Sequence, residues 1–353
     1  MSSIYNSTLW TQDLDQVIET LPFLDQLSGK TIMITGAGGL ICSALADILL
    51  RYEQIHRSGL KVIAAGRNRE KLLSRFAPYV NGDSFQICQY DALQSGNVFP
   101  ERCDYIIHGA GNAYPGLITR EPVETMRSNF DGLLDLLFYA RDHAVTRTVY
   151  ISSGEIYGQK ENPDPYRENE YGYVDLLSPR NSYSIGKRAA ETLCASFTAE
   201  YKTDTVIVRP CHTYGPTASV SDNRVSSAWA YAGARGEAIV MKSAGRQIRS
   251  YCHCLDASAA ILTVMLKGVS GEAYNIANPD STVSIRQLAE LVADIAGIEL
   301  KNQLPTESEA EGFNPMDNAV LDSTKLRSLG WRGSFDTRRG ISHTITVLRD
   351  ILF

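Results

Sequence analysis

From Lys30 to Arg209, short apolar runs alternate with longer stretches in which apolar residues recur every three or four positions. This is the pattern of strands exchanging with amphipathic helices. The runs Thr31–Thr35, Val62–Ala65, Phe85–Tyr90, Tyr105–His108, Thr148–Ser152 and Thr205–Arg209 predict strands. Between them, Leu40–Tyr52, residues 121–143 and a segment carrying Tyr183 and Lys187 predict helices. Such βαβ alternation implies an α/β fold: a parallel, doubly wound sheet with helices on both faces.

After Pro210 the rhythm breaks. Residues 211–222 read as a loop rich in Gly, Pro, Ser and Thr. Beyond it come short strands at 238–242, Ile248–His253 and Ala273–Ile276, with helices near 256–267 and 284–296. The division predicted is a polar, partly helical arm at 1–28, a dinucleotide-binding domain at 29–209, and a smaller α/β substrate-binding lobe at 210–353. Some strands of that lobe are expected to return to the first sheet. In the arm, Leu14, Val17, Ile18 and Leu21 keep helical spacing and Pro22 ends or kinks the helix. The arm is expected either to cap the domain or to reach a neighbouring subunit.

Composition narrows the class. The 353-residue chain is 44% hydrophobic and 21% charged, ordinary for a water-soluble globular protein, and its net charge of −6 argues against a general nucleic-acid binder. An anionic substrate would therefore need local arginines. No apolar stretch reaches the ~20 residues of a membrane span, and Met1–Ser28 lacks the basic-then-apolar layout of a signal peptide. Seven scattered cysteines fit a complete disulfide framework poorly, so reduced thiols and a cytoplasmic setting are expected. Cys252-His253-Cys254 has no second ligand pair with finger-like spacing, and no metal is expected there.

The chemistry begins at Thr35-Gly36-Ala37-Gly38-Gly39-Leu40-Ile41-Cys42, between a strand and a helix. That is the context of a glycine fingerprint, with backbone amides of Gly38, Gly39, Leu40 and Ile41 approaching a pyrophosphate at a helix N-terminus. Cys42 stands where a third glycine would allow the closest helix–strand approach. The second strand ends in Gly66-Arg67 without the acidic residue that usually holds an NAD ribose; Arg67 suits a 2′-phosphate or stacks on adenine, so NADP is possible beside NAD. Asp91, followed by Ala92, is placed to accept from the adenine amino group, and Gly109-Ala110-Gly111 leaves room for cofactor. Tyr183 and Lys187 lie one helical turn apart, where a lysine ammonium would favour the phenolate. Ser153-Gly154-Glu155-Ile156-Tyr157-Gly158 adds a hydroxyl and a carboxylate. Together these residues suggest removal of a proton from an alcohol while a hydride leaves its carbon. Tyr157 is read as either packing or substrate contact.

These motifs resemble an extended short-chain dehydrogenase/reductase with a Rossmann-type sheet, in the NAD-dependent epimerase/dehydratase family acting on nucleotide sugars. The resemblance covers nearly all of residues 30–335. It rests on Gly36-x-x-Gly39, His108-Gly-Ala110, Ser152-Ser153-x-x-x-Tyr157-Gly158, Tyr183-x-x-x-Lys187, Arg209-Pro210-x-x-x-Tyr214-Gly215-Pro216, Arg249 and Leu255-Asp256. The stretches Ser178-Pro179-Arg180-Asn181-Ser182-Tyr183, Gly186–Leu193 and Asp222-Asn223-Arg224-Val225 are most similar to UDP-glucuronate decarboxylases. The resemblance implies Tyr183 as base, Ser153 on the sugar 4-oxygen, and Lys187, Asn129 and Pro210 beside the cofactor. Arg249 and Arg224 would face the diphosphate or nucleotide, with Tyr157 and His212 near the substrate. It further implies oxidation at sugar C4, then decarboxylation with Glu155 managing a proton at C5. The alternatives are 4-epimerisation, 4,6-dehydration or NADPH-dependent 4-ketoreduction. Helices at about 121–143 and 180–200 would pair two subunits in a homodimer. Two positions depart from the family pattern: His212 replaces an Asn, and Gly154 replaces the acid that 4,6-dehydratases carry before Glu155.

Overall fold

A computed structural model describes residues 3–303 and 318–353. In chain order the first half runs α1 (Thr8–Glu19), β1 (Thr31–Thr35), α2 (Leu40–His56), β2 (Lys61–Gly66), α3 (Arg69–Arg75), β3 (Phe85–Gln89), β4 (Tyr105–His108), α4 (Pro115–Arg120), α5 (Pro122–Asp142), β5 (Arg147–Ile151), α6 (Ser182–Tyr201) and β6 (Thr205–Pro210). The second half adds β7 (His212–Tyr214), α7 (Val225–Arg235), β8 (Ile239–Met241), β9 (Ile248–His253), α8 (Cys254–Lys267), β10 (Ala273–Ile276), β11 (Thr282–Ser284), α9 (Ile285–Ala296), β12 (Leu300–Asn302) and β13 (Asn318–Ala319). A C-terminal helix spans Thr337–Leu352.

Seven parallel strands form the central sheet in the order β10-β6-β5-β4-β1-β2-β3. Alternation along β1 explains its two covered faces. Ile32 and Ile34 join the larger core with Leu45, Ile48 and Leu49 of α2 and Ile261 of α8, whereas Met33 joins the core with Leu136 and Tyr139 of α5. Thr35 pairs in register with Ala65 of β2 and His108 of β4, so three strand ends open side by side. The order reverses between β1 and β4, and that crevice is where open α/β sheets take ligands.

Residues 4–27 are packed into the body. Trp10, Val17, Leu24 and Leu27 are fully buried in the core that also holds α2 and α8. Asp47 of α2 accepts from the Trp10 indole (3.1 Å) and the Tyr5 hydroxyl (2.6 Å) and pairs with Arg75. His343 of the C-terminal helix contacts Asp13 at 2.9 Å. These contacts hold α1 on the α2/α8 side of the sheet, opposite the face covered by α5 and α6.

The second half differs from expectation at residues 211–222. This segment includes β7, which pairs in parallel with β9 through His212↔Tyr251 and Tyr214↔His253. Three residues are too few to signal a strand by pattern, and the partner edge is supplied from forty residues away. α8 and β10 return to the first sheet, β10 pairing with β6 at its edge. β9 also carries β11 and β13, and β8 pairs with β12.

Candidate active site

The turn after β1 is built on close backbone approach. Gly36 has φ +69°, and a Cβ there would stand 2.8 Å from the Gly109 carbonyl carbon, so no side chain fits without moving the end of β4. Gly39 caps α2 without a side-chain acceptor and is exposed with Gly38, while Leu40 and Ile41 are half-buried. The first amides of this 17-residue helix thus meet the crevice with the positive end of its dipole. Cys42 is fitted into place: its sulfur would lie 2.3 Å from a Cβ at Gly109, so the glycine missing at 42 is matched by one at 109.

Around this turn the remaining candidates take different positions. Arg67 is exposed past the end of β2, and no carboxylate stands in Gly66–Arg69. Asp91 is half-buried and accepts from the Leu93 amide at 3.1 Å. The Ala92 side chain faces away, packed against Gly132 of α5 where a Cβ would be 2.6 Å off, so at most its backbone reaches a ligand. Ala110 donates its amide to Thr35 Oγ1 (3.3 Å), which also bonds His108 Nδ1 (2.7 Å). Gly111 abuts Asn129 Oδ1, whose amide nitrogen donates to the Thr125 carbonyl at 2.7 Å. Asn129 therefore shapes the 109–111 turn from behind. Among the described residues, His108 Nε2 and Ser152 Oγ are buried without partners near this crevice. Gly36, Gly38, Gly39, Gly109 and Gly111 form a cradle that a dinucleotide fits.

Tyr183 sits in the first turn of α6, buried, with its phenol pushed up to about 12 by burial and by Glu155, while Ser153, Arg224 and Arg180 pull the other way. Lys187 is equally buried, which pushes its ammonium down to about 8. Its Nζ donates to the Ile151 carbonyl at 2.7 Å and lies 4.7 Å from the Tyr150 ring centroid. Lys187 Nζ also stands over the Tyr183 ring, 5.8 Å from its centroid, and Ser153 and the two arginines favour the phenolate as well.

Ser153 follows β5 in extended backbone, and its Oγ accepts from the Glu155 amide at 3.1 Å, starting the short helical turn Gly154–Tyr157. A Cβ at Gly154 would stand 3.2 Å from the Leu321 side chain and 3.4 Å from the Pro210 carbonyl, so an acid there would require Leu321 to give way by a few tenths of an ångström. Pro210 closes β6 beside Ile276 of β10 and is buried. Glu155 is paired with Arg180, both terminal nitrogens lying 3.4 Å from Oε2. Sequence reasoning gave Arg180 no role; its place in the Ser178–Tyr183 run was the only signal.

The structure corrects Tyr157 as a substrate contact. It is fully buried, donates to Asn275 Oδ1 at 2.6 Å, accepts from Arg209 at 2.8 Å and stacks on Tyr166. His212 is half-buried, and burial beside Arg249 and Arg224 pushes it down to about 3, leaving it neutral. Arg249 on β9 is buried. Arg224 is tied to the Asp222 carboxylate, with Nε at 2.9 Å, so that pair carries no net charge toward a phosphate.

The family model described as "NAD dependent epimerase/dehydratase family" matches residues 32–277. UDP-glucuronic acid decarboxylase 1 of Xenopus tropicalis is 27% identical over 93% of this chain and 74% of its own length. UDP-glucuronic acid decarboxylase 6 of Arabidopsis thaliana is 29% identical over 89% of this chain and 87% of its own. In fold, the chain is similar to a UDP-glucuronic acid 4-epimerase from Bacillus cereus solved with UDP-glucuronic acid and NAD, with a TM-score of 0.76 and 19% identity over 92% of this chain and all of that one. With the match spanning the sheet, the glycine cradle and the Tyr183/Lys187 pair, the chain belongs to the NAD dependent epimerase/dehydratase family of enzymes.

Proposed function

We propose that this enzyme oxidises the C4 hydroxyl of a nucleotide-linked uronic acid and decarboxylates it, as on UDP-glucuronate, returning a pentose nucleotide. The observation that carries the reading is Glu155 held beside Tyr183, with glycine rather than a second acid at 154. Bound NAD would accept the hydride from C4 and give it back. Ser153 positions the 4-oxygen, Tyr183 takes its proton, and Lys187 holds the cofactor ribose. The C4 ketone makes the substrate a β-keto acid. The C5–C6 bond then breaks, carbon dioxide leaves, and the electron pair passes into an enolate whose oxygen faces Tyr183. Glu155 manages the proton that C5 must regain. Positioning and base tuning carry the rate.

The same reading assigns residues 29–209 chiefly to cofactor binding and 210–353 chiefly to substrate. It places the enzyme in a reducing cytoplasm, which seven free cysteines support; among the described residues no helix is long and apolar enough to cross a membrane. It also pairs two copies through α5 and α6, which pack on each other and leave Val123, Met126, Phe130 and Phe138 exposed along one face. Sedimentation equilibrium is expected to give twice the chain mass of 38.9 kDa, and Phe130→Glu to halve it; a wild-type monomer would remove this part of the reading.

A panel of UDP-, dTDP-, GDP- and CDP-sugars incubated with enzyme and NAD, then weighed, tests the reaction. Loss of about 44 mass units from a uronate is the expected result. Loss of about 18 would mean dehydration, and unchanged mass with an altered NMR spectrum would mean epimerisation; either would replace the reading.

A further inference from the structure

Arg180 lies on the turn Pro179–Asn181 that leads into α6, three residues before Tyr183. Its side chain is only 20% exposed and runs back into the site. Both terminal nitrogens meet the same Glu155 oxygen, each at 3.4 Å. A formed guanidinium–carboxylate fork engages both oxygens at about 2.8 Å, so this contact is loose and one-sided. The third nitrogen, Nε, is buried with no partner among the described residues.

Other arginines of this chain are finished by comparison. Arg147 grips both oxygens of Asp204 at 2.8–2.9 Å and two backbone carbonyls. Arg209 holds both oxygens of Glu191, two tyrosine hydroxyls and a carbonyl. Buried donors of a charged group are costly to leave unmet, and Arg180, beside the proposed base, keeps capacity to spare. Its charge is already felt by the Tyr183 phenol.

We propose that Arg180 binds the substrate carboxylate and sets the preference of this enzyme for uronates over neutral sugars. The inference rests on the reading of Tyr183 and Glu155 given above. A carboxyl at C5 is attached next to C4, so a 4-oxygen delivered to Tyr183 brings the carboxylate to the groups flanking that phenol. Glu155 is one of them and would repel it; Arg180 offsets both negative charges and holds them side by side. In the free enzyme Glu155 keeps the guanidinium aimed into the site, and the incoming carboxylate takes the donors Glu155 leaves.

The test uses the full-length NAD-loaded enzyme, with Tyr183→Phe in every variant to stop turnover. Calorimetry compares UDP-glucuronate with UDP-xylose, which lacks the carboxylate. Arg180→Gln is expected to weaken UDP-glucuronate roughly 10- to 100-fold, to leave UDP-xylose within about 3-fold, and Arg180→Lys to restore part of the loss. Equal losses for both ligands would make Arg180 merely structural and overturn the proposal, as would unchanged UDP-glucuronate affinity. Carbon dioxide release by the enzyme with Tyr183 intact is scored separately. If it occurs while Arg180→Gln still binds UDP-glucuronate normally, this inference alone fails; if it does not occur, the decarboxylase reading fails first.

Discussion

Replacing Tyr183 with phenylalanine is expected to lower turnover about 10³-fold while leaving NAD affinity within about 3-fold. The ring of Tyr183 is buried, so phenylalanine keeps its packing and removes only the oxygen that meets the substrate proton. NAD binding is assigned to Gly36, Gly39 and the α2 amides rather than to the Tyr183 hydroxyl. Turnover and affinity should therefore separate. The pH profile provides a second reading. Burial and Glu155 hold the phenol up at about 12 in the protein alone, so the ionised form grows as pH rises. Wild-type kcat/KM should climb with pH and the variant should lose that climb. Stopped turnover assays with calorimetric NAD titrations decide it, and a variant rate near wild type would remove the proposed base.

Replacing Arg209 with methionine is expected to cost about 3–5 kcal/mol of stability. Arg209 is 2% exposed at the end of β6 and meets Glu191 of α6 at 2.7 and 3.0 Å. It also donates to the Tyr157 hydroxyl (2.8 Å), the Tyr171 hydroxyl (3.1 Å) and the Glu168 carbonyl (2.7 Å). One guanidinium thus ties the sheet, the helix that carries Tyr183 and the loop that follows Glu155. Methionine fills much of the volume but leaves Glu191 charged, buried and alone, which is the expensive outcome. Arg209→Met/Glu191→Leu should recover most of the loss, because removing both charges removes the stranded one. Urea unfolding would show the midpoint fall in the single variant and return in the double; equal midpoints for both would mean that packing, not charge, carries the site.

The parallel half of the fold was legible because each strand is a compact apolar run bounded by a turn. β1 and β4 match the runs Thr31–Thr35 and Tyr105–His108 residue for residue. The second half was less so. β7 has three residues ahead of Gly215-Pro216, and α7 is built from Ser, Ala and Gly with little contrast between its faces. The C-terminal helix was outside the predicted elements although Ile341, Ile345 and Leu348 form a buried stripe on it. The placement of α1 depends on Trp10 meeting Asp47, a pairing that no local pattern encodes.

In the site, local motifs pointed to the groups and distant contacts set their surroundings. Ser153, Tyr183 and Lys187 are readable from spacing alone. Tyr157 shares the same motif, yet Asn275 and Arg209, 118 and 52 residues away, claim its hydroxyl for the core. Arg180 carries only the signal of its run, Ser178–Tyr183, until Glu155 is found beside it, 25 residues earlier in the chain. Gly154 reads as a missing acid in sequence and as a position packed tightly against Leu321 and Pro210 in structure.

The most direct test of the account follows one carbon. Wild-type enzyme is incubated with NAD and UDP-glucuronate labelled with ¹³C at C6, and both the released gas and the remaining nucleotide are analysed. The account predicts labelled carbon dioxide together with an unlabelled UDP-pentose. Label retained in a converted hexose nucleotide would contradict it.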